Sequence, residues 1–199
     1  MRDSDKAYFE ILEMLIVGKV RCGQPVDEKN LCERLGLGKT PLREALTRLA
    51  QDGYVVAVPR KGMTYISFDI SDLNTLFDMR LALNNIYTEK IIDNISDYQI
   101  QTLEEIIAST FEDAYLKDRV FYTLLSEGCN DKYLAEIMNK LKNLCLIALR
   151  PLQKNLSVQL DHIDVEYMQI VQALKARSKE QLSKLLIQQI PAYVTVSYR

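Results

Sequence analysis

Within the first 68 residues, short segments with the apolar spacing of a helix are followed by segments with the composition of β-strands. Three stretches place an apolar residue at every third or fourth position, which predicts short amphipathic helices. These stretches are residues 8–16, 31–35 and 42–49. Residues 54–58 and 63–68 are instead rich in β-branched and aromatic side chains, and the turn residues 59–62 between them predict a hairpin. This order of elements predicts a winged helix-turn-helix over residues 1–68.

In the rest of the chain the apolar residues keep the spacing of an α-helix throughout. From residue 71 onward it contains only one glycine and two prolines, so few positions break a helix. Periodic apolar stretches run through residues 72–93, 97–111, 115–127, 131–149, 161–175 and 179–190. We therefore predict a mainly α protein in which residues 69–199 form an all-α bundle of about six helices behind the winged helix.

The two predicted domains also differ in net charge. The net charge is −2, but residues 1–68 carry an excess of positive charge and residues 69–199 an excess of negative charge. Seven Lys and Arg residues face only three acidic residues between positions 29 and 62. A basic segment on an acidic chain favours a nucleic-acid partner for the N-terminal domain.

Other classes of protein find little support in the sequence. The longest apolar run, residues 144–149, is too short to cross a bilayer, and residues 1–5 lack the apolar stretch of a signal peptide. A cytoplasmic protein without membrane contact is expected. The sequence has no phosphate-binding glycine loop and no nucleophile with a paired base, so we do not expect an enzyme.

Basic residues stand where a winged helix reads DNA. Lys39, Thr40 and Arg43 cluster at the start of the third helix, away from its apolar face, and Arg can bond guanine with two nitrogens. Lys29 on the preceding helix and a Gly-containing basic wing tip suit phosphate or minor-groove contact. The predicted DNA-binding residues are Lys29, Lys39, Thr40, Arg43, Arg60, Lys61 and Gly62.

Residues 8–68 resemble the GntR family of regulators. The segments that carry the resemblance are GKVRCGQPV (18–26), LCERLGL (31–37), TPLREAL (40–46), LxxDG (49–53) and PRKGMxYI (59–66). The chain departs from the family pattern at Cys22, Gly38 and Lys39, where Pro, Ser or Thr, and Arg are usual. Lys39 keeps the charge but loses the planar fork of Arg.

Residues 72–199 resemble the FadR-like subgroup of that family through MRLxL (79–83), DRVFY (118–122), NxxxL (130–134) and YMQIVQAL (167–174). The resemblance implies a divalent metal held by one Asp and three His residues, which helps to bind a carboxylate effector. Residue by residue, the Asp corresponds to Asp118, but Tyr122, Tyr167 and Gln189 stand at the histidine positions. Neutral phenols and an amide are poor ligands for such an ion, so we predict no metal and no cofactor.

Two interpretations of the helical domain stay open. Asp118, Tyr122, Tyr167 and Gln189, with Arg80 as an anion anchor, either form an effector pocket or form a satisfied polar core without a ligand. The resemblance implies a homodimeric regulator, more often a repressor, on a pseudo-palindromic site in double-stranded DNA. The alternatives are a winged helix for protein contacts that senses nothing, and a small helical enzyme.

Overall fold

The computed structural model describes residues 1–60, 62–111, 114–151 and 163–188, with only the backbone described at residues 114, 115 and 163. The chain divides into two compact units, Met1–Asp69 and Ile70–Arg199. The first unit contains α1 (Asp3–Ile16), α2 (Glu28–Leu35), α3 (Lys39–Gln51), β1 (Val55–Val58) and β2 (Gly62–Tyr65). The predicted winged helix-turn-helix is confirmed.

The core of the first unit lies between α1 and α3. Ile11 and Leu15 of α1 are buried against the apolar face of α3, which includes Leu42 and Leu46. The start of α2 is capped by Asp27, whose carboxylate accepts the backbone N–H of Asn30 at 3.0 Å. This packing leaves the opposite face of α3 in solvent.

The hairpin is antiparallel, with Val55 opposite Tyr65 and Val58 opposite Gly62. Its second strand ends at Tyr65 rather than at residue 68. Beyond it the pairing continues by one hydrogen bond, from the backbone N–H of Ile66 to the carbonyl oxygen of Tyr54 at 3.0 Å, because the N–H of Tyr54 is already donated to Leu49 in the turn that follows α3. The other edge of β2 is covered by the loop between α1 and α2. There Val26 donates its backbone N–H to Met63, and Tyr65 donates its own to Gln24, at 2.8 and 2.9 Å. This third segment of the wing has no strand signal in the sequence.

The second unit contains six helices among the described residues, as predicted. They are α4 (Ile70–Asn94), α5 (Asp97–Ala108), α6 (Ala114–Glu127), α7 (Lys132–Leu149), α8 (Ile163–Lys175) and α9 (Lys179–Gln188). Helix α4 packs on α7 and α9, while α5 packs on α6 and α8. At the centre the rings of Phe121 and Tyr167 stack with centroids 3.9 Å apart. None of the described helices is both long and apolar enough to cross a membrane.

Candidate nucleic-acid interface and buried polar cavity

The start of α3 exposes three of the predicted DNA-binding side chains together. Lys39, Thr40 and Arg43 all lie in the first five residues of the helix and are exposed, while Leu42 between them is fully buried. No acidic residue occupies the first turn, and Gly38 before it makes no side-chain cap. The unpaired backbone N–H groups and the positive end of the helix dipole therefore face solvent, where they favour an anion.

Arg43 is held by a residue that sequence reasoning missed. Its Nε donates a hydrogen bond at 3.0 Å to the Glu28 carboxylate on α2, and its side chain stays 67% exposed. This hydrogen bond fixes the direction of the guanidinium at its Nε atom. The two terminal nitrogens bond no other described residue. Glu28 and Arg43 are 15 positions apart, so no local pattern could have indicated this pair.

Two further basic side chains border the same face. Arg48 on α3 forms an ion pair with Asp5 at 2.6 Å and lies over the Tyr8 ring, 4.6 Å from its centroid. Arg2 also bonds Asp5, and these two partners lower the pKa of that carboxyl to about 2. Arg2 and Arg48 join Thr40 and Arg43 around a shallow open depression. Asp5 therefore holds Arg2 and Arg48 beside the exposed face of α3.

The remaining predicted DNA contacts lie on other elements of the first unit. Lys29 is exposed on α2, 4.0 Å from Glu33. Arg60 and Gly62 are exposed at the wing tip, both with left-handed backbone (φ 65° and 87°) that the tight turn requires. Lys61 lies outside the described residues. The structure therefore brings the three α3 residues together and places Lys29, Arg60 and Gly62 on separate elements of the first unit.

In the second unit the predicted polar residues meet around a buried carboxylate. Tyr167 donates its hydroxyl to Oδ1 of Asp118 at 2.6 Å, and the Tyr122 and Tyr167 rings meet edge to face. The other carboxylate oxygen, Oδ2, lies 3.0 Å from the ammonium of Lys142 on α7. This contact is a close ion pair between two buried groups.

Lys142 is the second residue that sequence reasoning missed. It follows Met138 by four positions and precedes Leu146 by four, so it interrupts a buried apolar stripe on α7. A lysine within a buried apolar stripe was the sequence signal that could have indicated a buried ion pair. Burial lowers the pKa of its ammonium and Arg80 adds to the effect, while the Asp118 carboxylate opposes it.

A small cavity lies beside this cluster, among α4, α6, α7 and α9. Arg80, Tyr122 and Lys142 line it, together with Asn84 of α4 and with Leu186 and Ile187 of α9. It offers about 20 Å³ to the centre of a water molecule, which is room for about one ordered water. Asp118 and Tyr167 do not line the cavity; they contact the two lining residues Lys142 and Tyr122. Gln189 lies outside the described residues.

The polar groups of this cavity are not fully satisfied by the described chain. The Tyr122 hydroxyl is buried and has no hydrogen-bond partner there. Arg80 is also buried, and it lies within ion-pair distance of no described carboxylate. Burial raises the pKa of the neighbouring Cys145 thiol, and the Arg80 guanidinium opposes that rise. Without a ligand or a water molecule the buried Tyr122 hydroxyl would have no hydrogen-bond partner among the described residues, which is costly at such burial.

The residues present do not fit a divalent metal. Burial raises the pKa of both Tyr122 and Tyr167 far above the usual value for a phenol, so both remain neutral. In the described part of the chain no three His, Cys, Asp or Glu side chains gather as such a site needs. An ammonium already contacts the one available carboxylate.

Comparison with known proteins covers both units. Residues 3–64 match the model of bacterial regulatory proteins of the gntR family, and residues 75–190, more than half of the chain, match the FCD domain. The chain is 24% identical over 182 residues to the HTH-type transcriptional regulator YdhC of Bacillus subtilis, covering 87% of this chain and 81% of that protein. It is 22% identical over 191 residues to the gluconate operon transcriptional repressor of Bacillus licheniformis, covering 90% and 78%. The solved structure of McbR/YncC from E. coli has the same fold, with a TM-score of 0.83 at 22% identity over all of both chains.

Proposed function

Because the chain belongs to the GntR family of bacterial regulatory proteins and carries an FCD domain, we propose that it is a sequence-specific DNA-binding transcriptional regulator. Its winged helix binds double-stranded DNA, and its helical unit responds to a small-molecule effector. The role is that of a repressor, in line with the name of the gluconate operon relative. It catalyses no reaction.

One observation carries this proposal: the start of α3 presents Lys39, Thr40 and Arg43 to solvent on the second helix of a helix-turn-helix. That helix enters the major groove in this fold class, and its first residues reach base edges. The hydrogen bond from Arg43 to Glu28 leaves the terminal nitrogens of the guanidinium free to bond the O6 and N7 atoms of one guanine. The exposed cations of α2 and the wing add phosphate contacts.

The active form is a homodimer on a pseudo-palindromic site. One winged helix makes too few base contacts to select a site in a genome, and two copies related by a two-fold axis double that number. The two half-sites then lie about one helical turn of DNA, roughly 10 base pairs, apart from centre to centre.

The helical unit regulates DNA binding because its effector has different affinities for different arrangements of the dimer. An effector that binds one arrangement of the dimer better than another shifts the population and so changes affinity for DNA. This unit uses no metal for that purpose, because Asp118 is the only charged ligand at the positions described and Lys142 already pairs with it.

Selection of bound DNA from a random library tests the proposal with the full-length protein. The expected result is an inverted repeat whose affinity falls steeply with salt, because neutralised phosphates release counterions. A repeat of the selection with metabolite extract should change the affinity for the same repeat. A library without an enriched sequence, with affinity that does not depend on salt, would overturn the proposal in favour of a protein-contact role.

A further inference from the structure

Two arginines from different helices share one carboxylate beside the exposed face of α3. Asp5 accepts a hydrogen bond from Nη1 of Arg48 at 2.6 Å, and Nε and Nη2 of Arg2 bond the same carboxylate at 3.1 and 3.3 Å. One carboxylate therefore faces two guanidinium groups, which leaves one positive charge in excess. Because the ion pair between Asp5 and Arg48 already joins α1 to α3, Arg2 adds charge without adding a connection between the helices.

Both guanidinium groups keep nitrogens for another partner. Among the described residues, Arg48 donates only through Nη1, and Arg2 only through Nε and Nη2. Arg48 also lies 4.6 Å from the centre of the Tyr8 ring, whose hydroxyl donates to Asp52 at 2.6 Å. The side chains of Arg2 and Arg48 nevertheless remain 79% and 40% exposed. An arginine that is held in place before it binds an anion loses less conformational entropy on binding.

The arginine pair borders a shallow depression along the exposed face of α3. Arg2, Arg43 and Arg48 line it with Thr40, and Glu44 is the one acidic residue of its lining in the described part of the chain. Thr40 and Arg43 are predicted to contact bases from the start of the helix. Arg48 follows Thr40 by eight positions, which places it about 12 Å further along the helix axis.

The position of Arg48 along α3 favours a backbone phosphate over a base as its partner. The first turn of such a helix reaches base edges, and the major groove is about 12 Å wide. A side chain about 12 Å further along the axis then lies at the edge of the groove, where the phosphates are. A phosphate carries its negative charge on oxygens that can accept hydrogen bonds from two guanidinium groups at once.

We propose that Arg2 and Arg48 form a phosphate clamp, in which both guanidinium groups bind one DNA backbone phosphate at the edge of the major groove that α3 enters. Asp5 holds the two groups in place. This inference rests on the proposed DNA binding and assigns a part of the interface outside the first turn of α3. Phosphates carry no base identity, so the clamp adds affinity and fixes the position of α3 on the duplex without reading sequence.

The salt dependence of binding to a random-sequence duplex tests the clamp with the full-length protein. Loss of one neutralised phosphate lowers the slope of log affinity against log salt concentration by about 0.9. We expect this reduction in Arg2→Ala/Arg48→Ala, with affinity about eightfold lower at roughly 0.1 M salt. The matched control, Lys132→Ala/Lys140→Ala, removes two exposed lysines of α7 and should keep the wild-type slope.

Single variants separate a phosphate contact from a purely structural link between α1 and α3. Arg48→Ala and Asp5→Asn both break that link, but only a phosphate contact makes their effects opposite in sign. Arg48→Ala should weaken binding of random DNA, whereas Asp5→Asn removes a negative charge near the phosphate and should strengthen it. Weaker binding in both folded variants would overturn the inference.

Arg2→Ala keeps the test decisive if the Arg48 variants do not fold. Arg2 makes no hydrogen bond to α3, so its replacement leaves the link between the helices intact and should still weaken binding of random DNA by about threefold. Circular dichroism checks the fold of each variant. Wild-type affinity and slope in Arg2→Ala, or in a folded double variant, would overturn the inference.

The two proposals fail in different ways, because the salt slope is measured on random DNA. A protein that selects an inverted repeat but keeps its slope in the double variant has no clamp and remains a sequence-specific regulator. A protein that selects no repeat but loses slope in the double variant has the clamp and refutes the proposed sequence-specific function.

Discussion

Arg43 leaves α3 toward solvent with one nitrogen held by Glu28 and two unbonded among the described residues. Replacement by Ala removes the bidentate donor, so we expect Arg43→Ala to cost about 1–3 kcal/mol of DNA affinity and to relax base preference at one position of each half-site. Fluorescence anisotropy with the selected site and its single-base variants measures both. Lys140→Ala, on the exposed face of α7, is the control and should change neither. Equal affinity of wild type and Arg43→Ala for the selected site would show that Arg43 reads no base.

Glu28 influences base readout through Arg43, whose guanidinium it orients. Its ion pair with Arg43 is exposed, so Glu28→Gln should change the unfolding free energy by less than about 1 kcal/mol. The guanidinium loses its fixed direction, and we expect discrimination at the Arg43 base to fall by about 1 kcal/mol. Affinity for random DNA should rise, because one negative charge near the phosphates is lost.

Glu33→Gln is the matched control for that variant. Glu33 lies on the same helix and pairs with Lys29 rather than with Arg43. Its replacement should raise affinity for random DNA and leave base discrimination unchanged. If Glu33→Gln reduced discrimination as much as Glu28→Gln, charge alone and not the orientation of Arg43 would explain the result.

At the scale of elements, the end of α6 meets the end of α4 at Gly128. A Cβ atom at this position would lie 2.9 Å from Cγ1 of Ile95 and 3.1 Å from the carbonyl oxygen of Leu125. We therefore expect Gly128→Ala to lower the unfolding free energy by about 1–3 kcal/mol, because the two ends must separate. Denaturant titration of the full-length protein measures the change.

A double-mutant cycle identifies the cause of that loss. Ile95→Ala removes the side-chain atoms that the new methyl group would meet, so the double variant should lose less stability than the sum of the two single variants. Additive losses would mean that the Ile95 side chain does not restrict Gly128.

At the scale of the whole molecule, the chain has two compact units, and the proposed dimer assigns them different tasks. The helical unit should hold the two copies together, so the protein without residues 1–68 should remain dimeric. Sedimentation equilibrium at micromolar concentration measures this, and a monomer would contradict the prediction. The first unit alone should be monomeric in the same measurement.

The absence of a bound metal should also be measurable on the whole protein. We expect well under one equivalent of transition metal in protein purified without an affinity tag, and no change in melting temperature on addition of a chelator. The triple variant Tyr122→His, Tyr167→His and Gln189→His should gain metal binding, and additional Lys142→Met should strengthen it by removing the repelling ammonium. One tightly bound metal near Asp118 in the wild type would contradict this prediction. It would also show that the Lys142 ammonium does not keep a metal ion away from the Asp118 carboxylate.

The sequence alone determined the order of elements, because periodicity, caps and turn residues act within a few positions of one another. The helix start at Asp27, the exposed side of α3 and the six helices of the second unit all follow from such local signals. The prediction that the helical unit holds no metal also follows from the sequence, because neutral phenols occupy positions 122 and 167, where imidazoles would be needed.

Only the tertiary structure decided which distant residues meet. Glu28 reaches Arg43 across 15 positions, and Lys142 reaches Asp118 across 24, because helices that pack side by side bring together faces that no local pattern relates. The pairing of Gln24–Val26 with β2 has the same origin, since a loop strand paired on one edge carries little periodicity of its own. The chemistry of both candidate sites depends on these contacts: a guanidinium oriented by a carboxylate in one unit, and a buried ammonium beside a carboxylate in the other.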